Sequence, residues 1–192
     1  MNAAREAILD RIRVALRLPA PEPAAPTGSP IFPAITDPTA RFRDEFSALR
    51  GEWLASAADL KSFLAGFSII ATDGSELVER TVGPGNATVR QAELGVTSCD
   101  CLVAQTGSVV VSTRSTGGRA VSVLPPVHLV IARHDQLLPD LATAVHFLRA
   151  RYAGHWPSSL SVITGPSRTA DIEKILVMGA HGPKRLALHL VG

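Results

Sequence analysis

The chain reads as an α/β protein built on an open, mostly parallel sheet with flanking helices. Three observations predict this. Short β-branched apolar runs recur between residues 67 and 191, helical periodicities separate them, and the last third orders strand, helix and strand in succession. An apolar content of 46% with only 19% charged residues is the composition of a chain with a well-filled core, and 192 residues suffice for one such domain with an extension.

In chain order, residues 1–18 place Ile8, Leu9, Ile12, Ala15 and Leu16 at helical spacing among arginines and acids, an amphipathic helix. Residues 19–38 hold seven of the 14 prolines and read as a linker, because proline neither continues a helix nor fills a central strand. The remainder, 39–192, is the α/β domain. Phe42, Phe46 and Leu49 recur at about one turn, and Ser56 with Asp59 forms a capping signature ahead of Leu60–Leu64, so two short helices open the domain. Phe67–Ala71 is a strand closed by Asp73-Gly74, and residues 82–88 are loop-forming. Leu102–Ala104 and Val109–Ser112 are strands around the turn at 105–107, and Val127–Ala132 is a buried strand. Leu137, Leu141, Ala144, Val145, Leu148 and Tyr152 describe a helix, Ser161–Thr164 a strand, Asp171–Met178 a short helix and Leu186–Val191 the last strand, read together as a βαβ unit with a parallel sheet.

Charge and composition exclude several classes of function. A net charge of +2 supplies no basic field for nucleic acid, and 5% aromatics supply no stacking platform. Cys99 and Cys101 alone form no disulfide framework. Glu6, Asp10, Arg11, Arg13 and Arg17 interrupt any secretory signal, and the longest apolar run, Leu124–Ala132, contains Pro125, Pro126 and His128 and is too short to span a bilayer. A cytoplasmic protein without membrane insertion is the expectation.

Candidate chemistry concentrates in the second half. In GPSRTADIE, residues 165–173, Gly165 and Pro166 break a strand and Ser167 or Thr169 is placed to cap the next helix, whose free N–H groups attract anions. Arg168 adds a planar donor fork suited to carboxylate or phosphate. The structural alternative is plain capping, with Arg168 paired to Asp171 or Glu173. In the QTG turn, Thr106 offers a hydroxyl and Gly107 permits close backbone approach, or simply serves the turn. In RSTGGRA, residues 114–120, Arg114 and Arg119 bracket Gly117 and Gly118 as an anion clamp or as solvated charges. The chain carries neither the phosphate loop GxxxxGK[ST] nor the dinucleotide pattern GxGxxG. The histidines form no HxxxH or HExxH and the CxC pair has no companion, so no intrinsic metal is expected. His128, in the buried run PPVHLVIA, and His181, in the turn AHGP, read as structural histidines. The residues themselves name no catalytic mechanism.

Three blocks in order, GVTSCDCLVAQTGSVVV at 95–111, RAVSVLPPVHLVIA at 119–132 and ITGPSRTADIEKILVMGAHGPKRLALHLV at 163–191, resemble the lactate-utilisation protein C family, or LUD domain proteins, over residues 88–191. The resemblance implies a fold like that of the glucosamine-phosphate isomerase, ribose-phosphate isomerase and CoA-transferase group. It also implies a part in oxidising L-lactate to pyruvate beside partner proteins that carry iron–sulfur clusters. With two cysteines this chain has no cluster set of its own, so the expectation is a cluster-free component without an intrinsic cofactor, binding a small carboxylate or other anion. Positions that carry over, without roles, are Asp100, Thr106, Gly107, Pro125, His128, Gly165, Ser167, Arg168, Thr169, Asp171, His181 and Gly182. Arg119 joins Thr106, Gly107, Gly165, Ser167, Arg168 and Thr169 as a candidate ligand contact. Where many members have Glu before Thr-Gly this chain has Gln105, and an amide forms no acyl-enzyme of the CoA-transferase kind. The alternatives are a stand-alone enzyme acting on a phosphorylated sugar or acyl-CoA, and a non-catalytic scaffold docking through its first helix.

Overall fold

The computed structural model describes residues 2–17, 33–115, 119–169, 177–179 and 181–192. They fall into two compact units, one ending at Ala34 and one running from Ile35 to Gly192. The first carries helix α1 (Asn2–Ala15), where the sequence predicts a helix. Most of the proline-rich stretch, residues 18–32, lies outside the described residues, as do Gly117, Gly118 and Asp171.

The second unit opens with α2 (Pro38–Ala48). Pro38 sits where a missing N–H costs nothing, and the Asp37 carboxylate accepts from Ala40 N at 3.0 Å. Phe42 and Phe46, one turn apart, are fully buried with stacked rings 5.4 Å between centroids. After β1 (Glu52–Leu54) comes α3 (Ala57–Leu64), whose Ser56 and Asp59 make the reciprocal capping box read from the sequence. Then follow β2 (Ile70–Thr72), α4 (Glu76–Val82), β3 (Leu94–Thr97), β4 (Cys101–Val103), β5 (Ser108–Ser112), α5 (Ala120–Val123), β6 (Val127–Arg133), β7 (Leu137–Leu138), α6 (Leu141–Arg151), β8 (Leu160–Ile163), β9 (Arg168–Thr169), β10 (Val177–Met178) and β11 (Arg185–Val191).

Five of these strands form the expected parallel sheet, in the order β1-β11-β6-β3-β2. Its centre, β6, is buried from Val127 through Ala132, the continuous apolar reading of a parallel strand covered on both faces. A second sheet, β7-β4-β5-β8, is mostly antiparallel. Period-two alternation divides the core. Val130 and Ala132 of β6 and Leu186 and Leu188 of β11 meet Leu102, Val109 and Val111 of the second sheet in one cluster with Phe42 and Phe46. Leu129, Ile131 and Ala187 face the opposite way, toward Leu60 of α3 and Val78 of α4. Cys101, Val103 and Val110 pack under Ala144, Leu148 and Tyr152 of α6.

The structure corrects the sequence reading in three places. Strand β8 is not parallel to β11 in a βαβ unit; it pairs antiparallel with β5 at an edge of the second sheet, with Val162 half-exposed. Of the helix expected over 171–178, residues 171–176 lie outside the described residues, and Val177–Met178 are extended, paired antiparallel with Arg168–Thr169. The helix expected from Leu137 starts at Leu141 because Pro139 intervenes and Asp140 caps Thr143 N at 2.7 Å, which releases Leu137 and Leu138 to pair with β4.

Candidate anion site

Chain segments leaving the carboxyl ends of β2, β3 and β6 converge, which is where open α/β sheets hold ligands. They enclose a cleft of about 420 Å³. Ser75 and Leu77 come from the start of α4, Ser98, Cys99 and Asp100 follow β3, and Arg114 and Ser115 follow β5. Arg133 ends β6, Asp135 and Gln136 follow it, and Phe147 and Arg151 reach in from α6.

Asp100, wholly buried, is the hub. Its Oδ2 accepts from Ser115 Oγ at 2.8 Å, and its Oδ1 accepts from the Tyr152 hydroxyl and lies 3.3 Å from Arg151 Nε. A buried carboxylate persists only with such partners. Ser112 Oγ, 2.9 Å from the Tyr152 hydroxyl, extends the network. Asp73 anchors the neighbouring wall, its Oδ2 accepting from Ser98 N at 2.7 Å and Ser98 Oγ at 2.9 Å and its Oδ1 from Ser75 N and Oγ. Ser98 Oγ also lies 2.9 Å from the Ser115 carbonyl, so the loop bearing Arg114 is tied to the β3 end from two sides.

Two of the lining arginines are paired. Arg151 pairs with Asp100 and Arg133 Nε with Asp135 Oδ1 at 3.0 Å, whereas the exposed Arg114 stands in no ion pair among the described residues. Among the described residues the lining holds three arginines and two aspartates, with the Asp73 carboxylate directly behind Ser75 and Ser98.

Burial holds both cysteine thiols in their neutral form. Burial, reinforced by the charge of Asp100, pushes the Cys101 thiol up to about 12; burial first, then Cys101 and Asp100, raises Cys99 well above the ordinary thiol range. Burial and the hydrogen bond to Asp100 likewise raise Tyr152.

Of the residues singled out in the sequence, Asp100 and Arg114 line the cleft. The other described ones lie elsewhere. Gly107 has φ +60° and an added Cβ would sit 2.5 Å from Phe46 N, while Gly165, at φ +84°, packs against Leu49, so both serve close packing on α2 and its end. Thr106, Ser108 and Thr164 form a hydroxyl chain with links of 2.7 and 2.8 Å. Ser167 is tied to the final loop: its N–H donates to the Pro183 carbonyl, its carbonyl accepts from Gly179 N, and its Oγ accepts from His181 N at 3.3 Å. Arg168 and Thr169 belong to β9 rather than to a helix start, with Arg168 exposed, as are His181 and Arg119. Arg119 offers its carbonyl to Ser122 Oγ. Sequence reasoning missed Ser98, Arg133 and Arg151. Arg133 carried a usable signal, a cation at the carboxyl end of the most apolar strand.

His128 is fully buried on β6, its Nε2 2.8 Å from Thr97 Oγ1 and its Nδ1 without a partner among the described residues. Burial lowers its pKa from 6.5 to about 4. The unfolded chain therefore binds this proton first as the pH falls. Stability held above pH 6.5 drains away between 6.5 and 4, by about 3 kcal/mol in total. Urea titrations at pH 7 and pH 4.5 check this: His128→Gln is expected to lose less stability on acidification than the parent, and equal losses would assign the acid sensitivity to other groups.

Among the described residues no helix is long and apolar enough to cross a membrane. Residues 86–191 match the family model described as the LUD domain. The chain is 36% identical over 116 residues to Lactate utilization protein C of Halalkalibacterium halodurans, covering 59% of this chain and 47% of the relative. It is 34% identical over 125 residues to the protein of that name from Bacillus subtilis, covering 62% and 52%. To YkgG of Escherichia coli it is 38% identical over 103 residues, covering 53% and 44%. The chain thus spans about half the length of these relatives. A crystal structure of a DUF162 family protein from Deinococcus radiodurans superposes with a TM-score of 0.59 at 25% identity, covering 81% of this chain and 96% of that one.

Proposed function

Because the chain belongs to the LUD domain family, we propose that it is the cluster-free component of an L-lactate utilization system. In this reading it binds a small monocarboxylate in the cleft at the strand ends and works beside iron–sulfur proteins. The names of its relatives support the process. The observation that carries the ligand class is Arg114, which among the described residues stands in no ion pair, in a lining where Arg133 pairs with Asp135 and Arg151 with Asp100. A planar, positively charged fork suits a carboxylate, which it grips through two parallel N–H···O bonds. Ser98 Oγ, whose proton goes to Asp73 or to the Ser115 carbonyl, keeps lone pairs that accept from a 2-hydroxyl group. Oxidation itself needs an electron acceptor, and the proposal places that function in the iron–sulfur partners.

Thermal unfolding against L-lactate and pyruvate tests the reading. At 100 times its dissociation constant, a ligand of the native state adds roughly 2.7 kcal/mol of stability. Arg114→Ala is expected to abolish that shift while leaving the unliganded midpoint within about 1 °C of the parent, because the side chain is exposed and in no ion pair among the described residues. A parent stabilised by neither ligand, or only by ribose 5-phosphate or acetyl-CoA, would overturn the carboxylate assignment.

A further inference from the structure

The cleft is larger than lactate requires. Even allotting each of the six non-hydrogen atoms of lactate the roughly 30 Å³ share of a water molecule, the ligand would occupy less than half of this solvent-open cleft of about 420 Å³. The polar groups do not spread over the whole lining: Leu77 of α4 and Phe147 of α6 also face the space, both partly exposed. Each packs its remaining surface against a buried cluster, Leu77 with Val78 and Leu60, Phe147 with Ala144 and Leu148, so these two walls are held in place by the core. The Arg151 guanidinium lies 5.8 Å from the Phe147 ring centroid, which adds a cationic plane beside the aromatic one. A short polar ligand would leave this apolar surface wet. A ligand with one carboxylate and an apolar tail would satisfy both parts of the lining.

Resting on the carboxylate reading above, we infer that the cleft takes 2-hydroxy or 2-oxo monocarboxylates with a branched aliphatic or aromatic side chain, the carboxylate on Arg114 and the tail between Leu77 and Phe147. Lactate is then the smallest member of the class rather than the best fit. Discrimination comes from tail burial, which scales with apolar area removed from water, while a single guanidinium outside any ion pair among the described residues disfavours dicarboxylates and phosphate esters.

Isothermal titration of the full chain with L-lactate, L-2-hydroxy-4-methylpentanoate and L-3-phenyllactate decides the matter. The two tailed acids are expected to bind at least tenfold tighter than lactate and to be displaced by it competitively. Phe147→Ala is expected to remove that advantage, costing the two tailed acids at least tenfold more affinity than it costs lactate. Leu77→Ala provides the same readout from the other wall should the first variant fail to fold. Lactate binding with the tailed acids equal or weaker would overturn this inference while leaving the carboxylate site standing, and so would a loss in Phe147→Ala shared equally by all three acids. Binding of none of the three by the parent would remove both.

Discussion

Asp100→Ala is expected to lower the unfolding midpoint by about 6–12 °C. The substitution removes one carboxylate and strands the partners gathered around it. The Tyr152 hydroxyl and Ser115 Oγ lose their carboxylate acceptor in a setting where Asp100 is 0% exposed, and are left with Ser112 at 2.9 Å and at 3.2–3.3 Å. Arg151, half-exposed, can turn to water, so the damage falls on the two neutral donors and on the cavity left behind. Losing charge-assisted hydrogen bonds costs about 1.5–3 kcal/mol each; with part of that recovered through Ser112 and the cavity added, a total of about 3 kcal/mol follows. For a domain of this size each kcal/mol moves the midpoint by about 2–4 °C. Calorimetry of Asp100→Ala beside Asp100→Asn checks the assignment. The amide keeps one acceptor oxygen and is expected to lose less, and a loss below about 1 kcal/mol in the alanine variant would mean that Asp100 does not organise the cleft. The loop bearing Arg114 is moored through Ser115, so the same variant is also expected to weaken carboxylate binding.

Gly107→Ala is expected to cost about 3 kcal/mol or more through a different cause. Position 107 has φ +60°, a conformation that penalises any residue with a Cβ by roughly 1–2 kcal/mol. The new methyl would lie 2.5 Å from Phe46 N and 2.8 Å from the Glu45 carbonyl carbon. Those are backbone atoms of a capped helix whose two phenylalanines are locked in the core, so the clash is not relieved by a rotamer change. Gly154→Ala is the control: φ is +75° there, but an added Cβ meets nothing within 4 Å, so only the conformational penalty applies. Equal midpoints for the two variants would show that α2 does not press on the turn.

The contrast between these two residues explains how far the sequence could be read. Both belong to the stretch that carried the family resemblance, yet one lines the cleft and the other spaces a helix from a hairpin. Close approach of Phe46 to Gly107 joins residues 61 positions apart, and no local pattern records it. The GPSRT segment shows the same limit. Its arginine and hydroxyls looked like an anion cradle at a helix start, but Arg168 and Thr169 are extended and Ser167 spends its hydrogen bonds on residues 179–183. The cleft is instead built from Ser98, Arg114, Arg133 and Arg151, taken from four separate segments. Of these the sequence singles out Arg114 alone; the other three are scattered common residues that acquire a shared role once folding brings them together.

What the sequence by itself determined is everything that short-range physics decides. Ser56 with Asp59 and Asp37 with Pro38 start helices because their side chains and the proline ring act within one turn. Val127–Ala132 is a central strand because a run that is apolar on both faces must be covered on both. The three sequence blocks likewise identified the family. The tertiary structure alone decided which strands pair, sending β8 to a second, antiparallel sheet, and which charges meet around Asp100. The physical reason is range: capping and alternation are settled among residues a few positions apart, whereas strand partnership and the convergence of three guanidiniums depend on neighbours in space that the chain reaches only through the whole packed core.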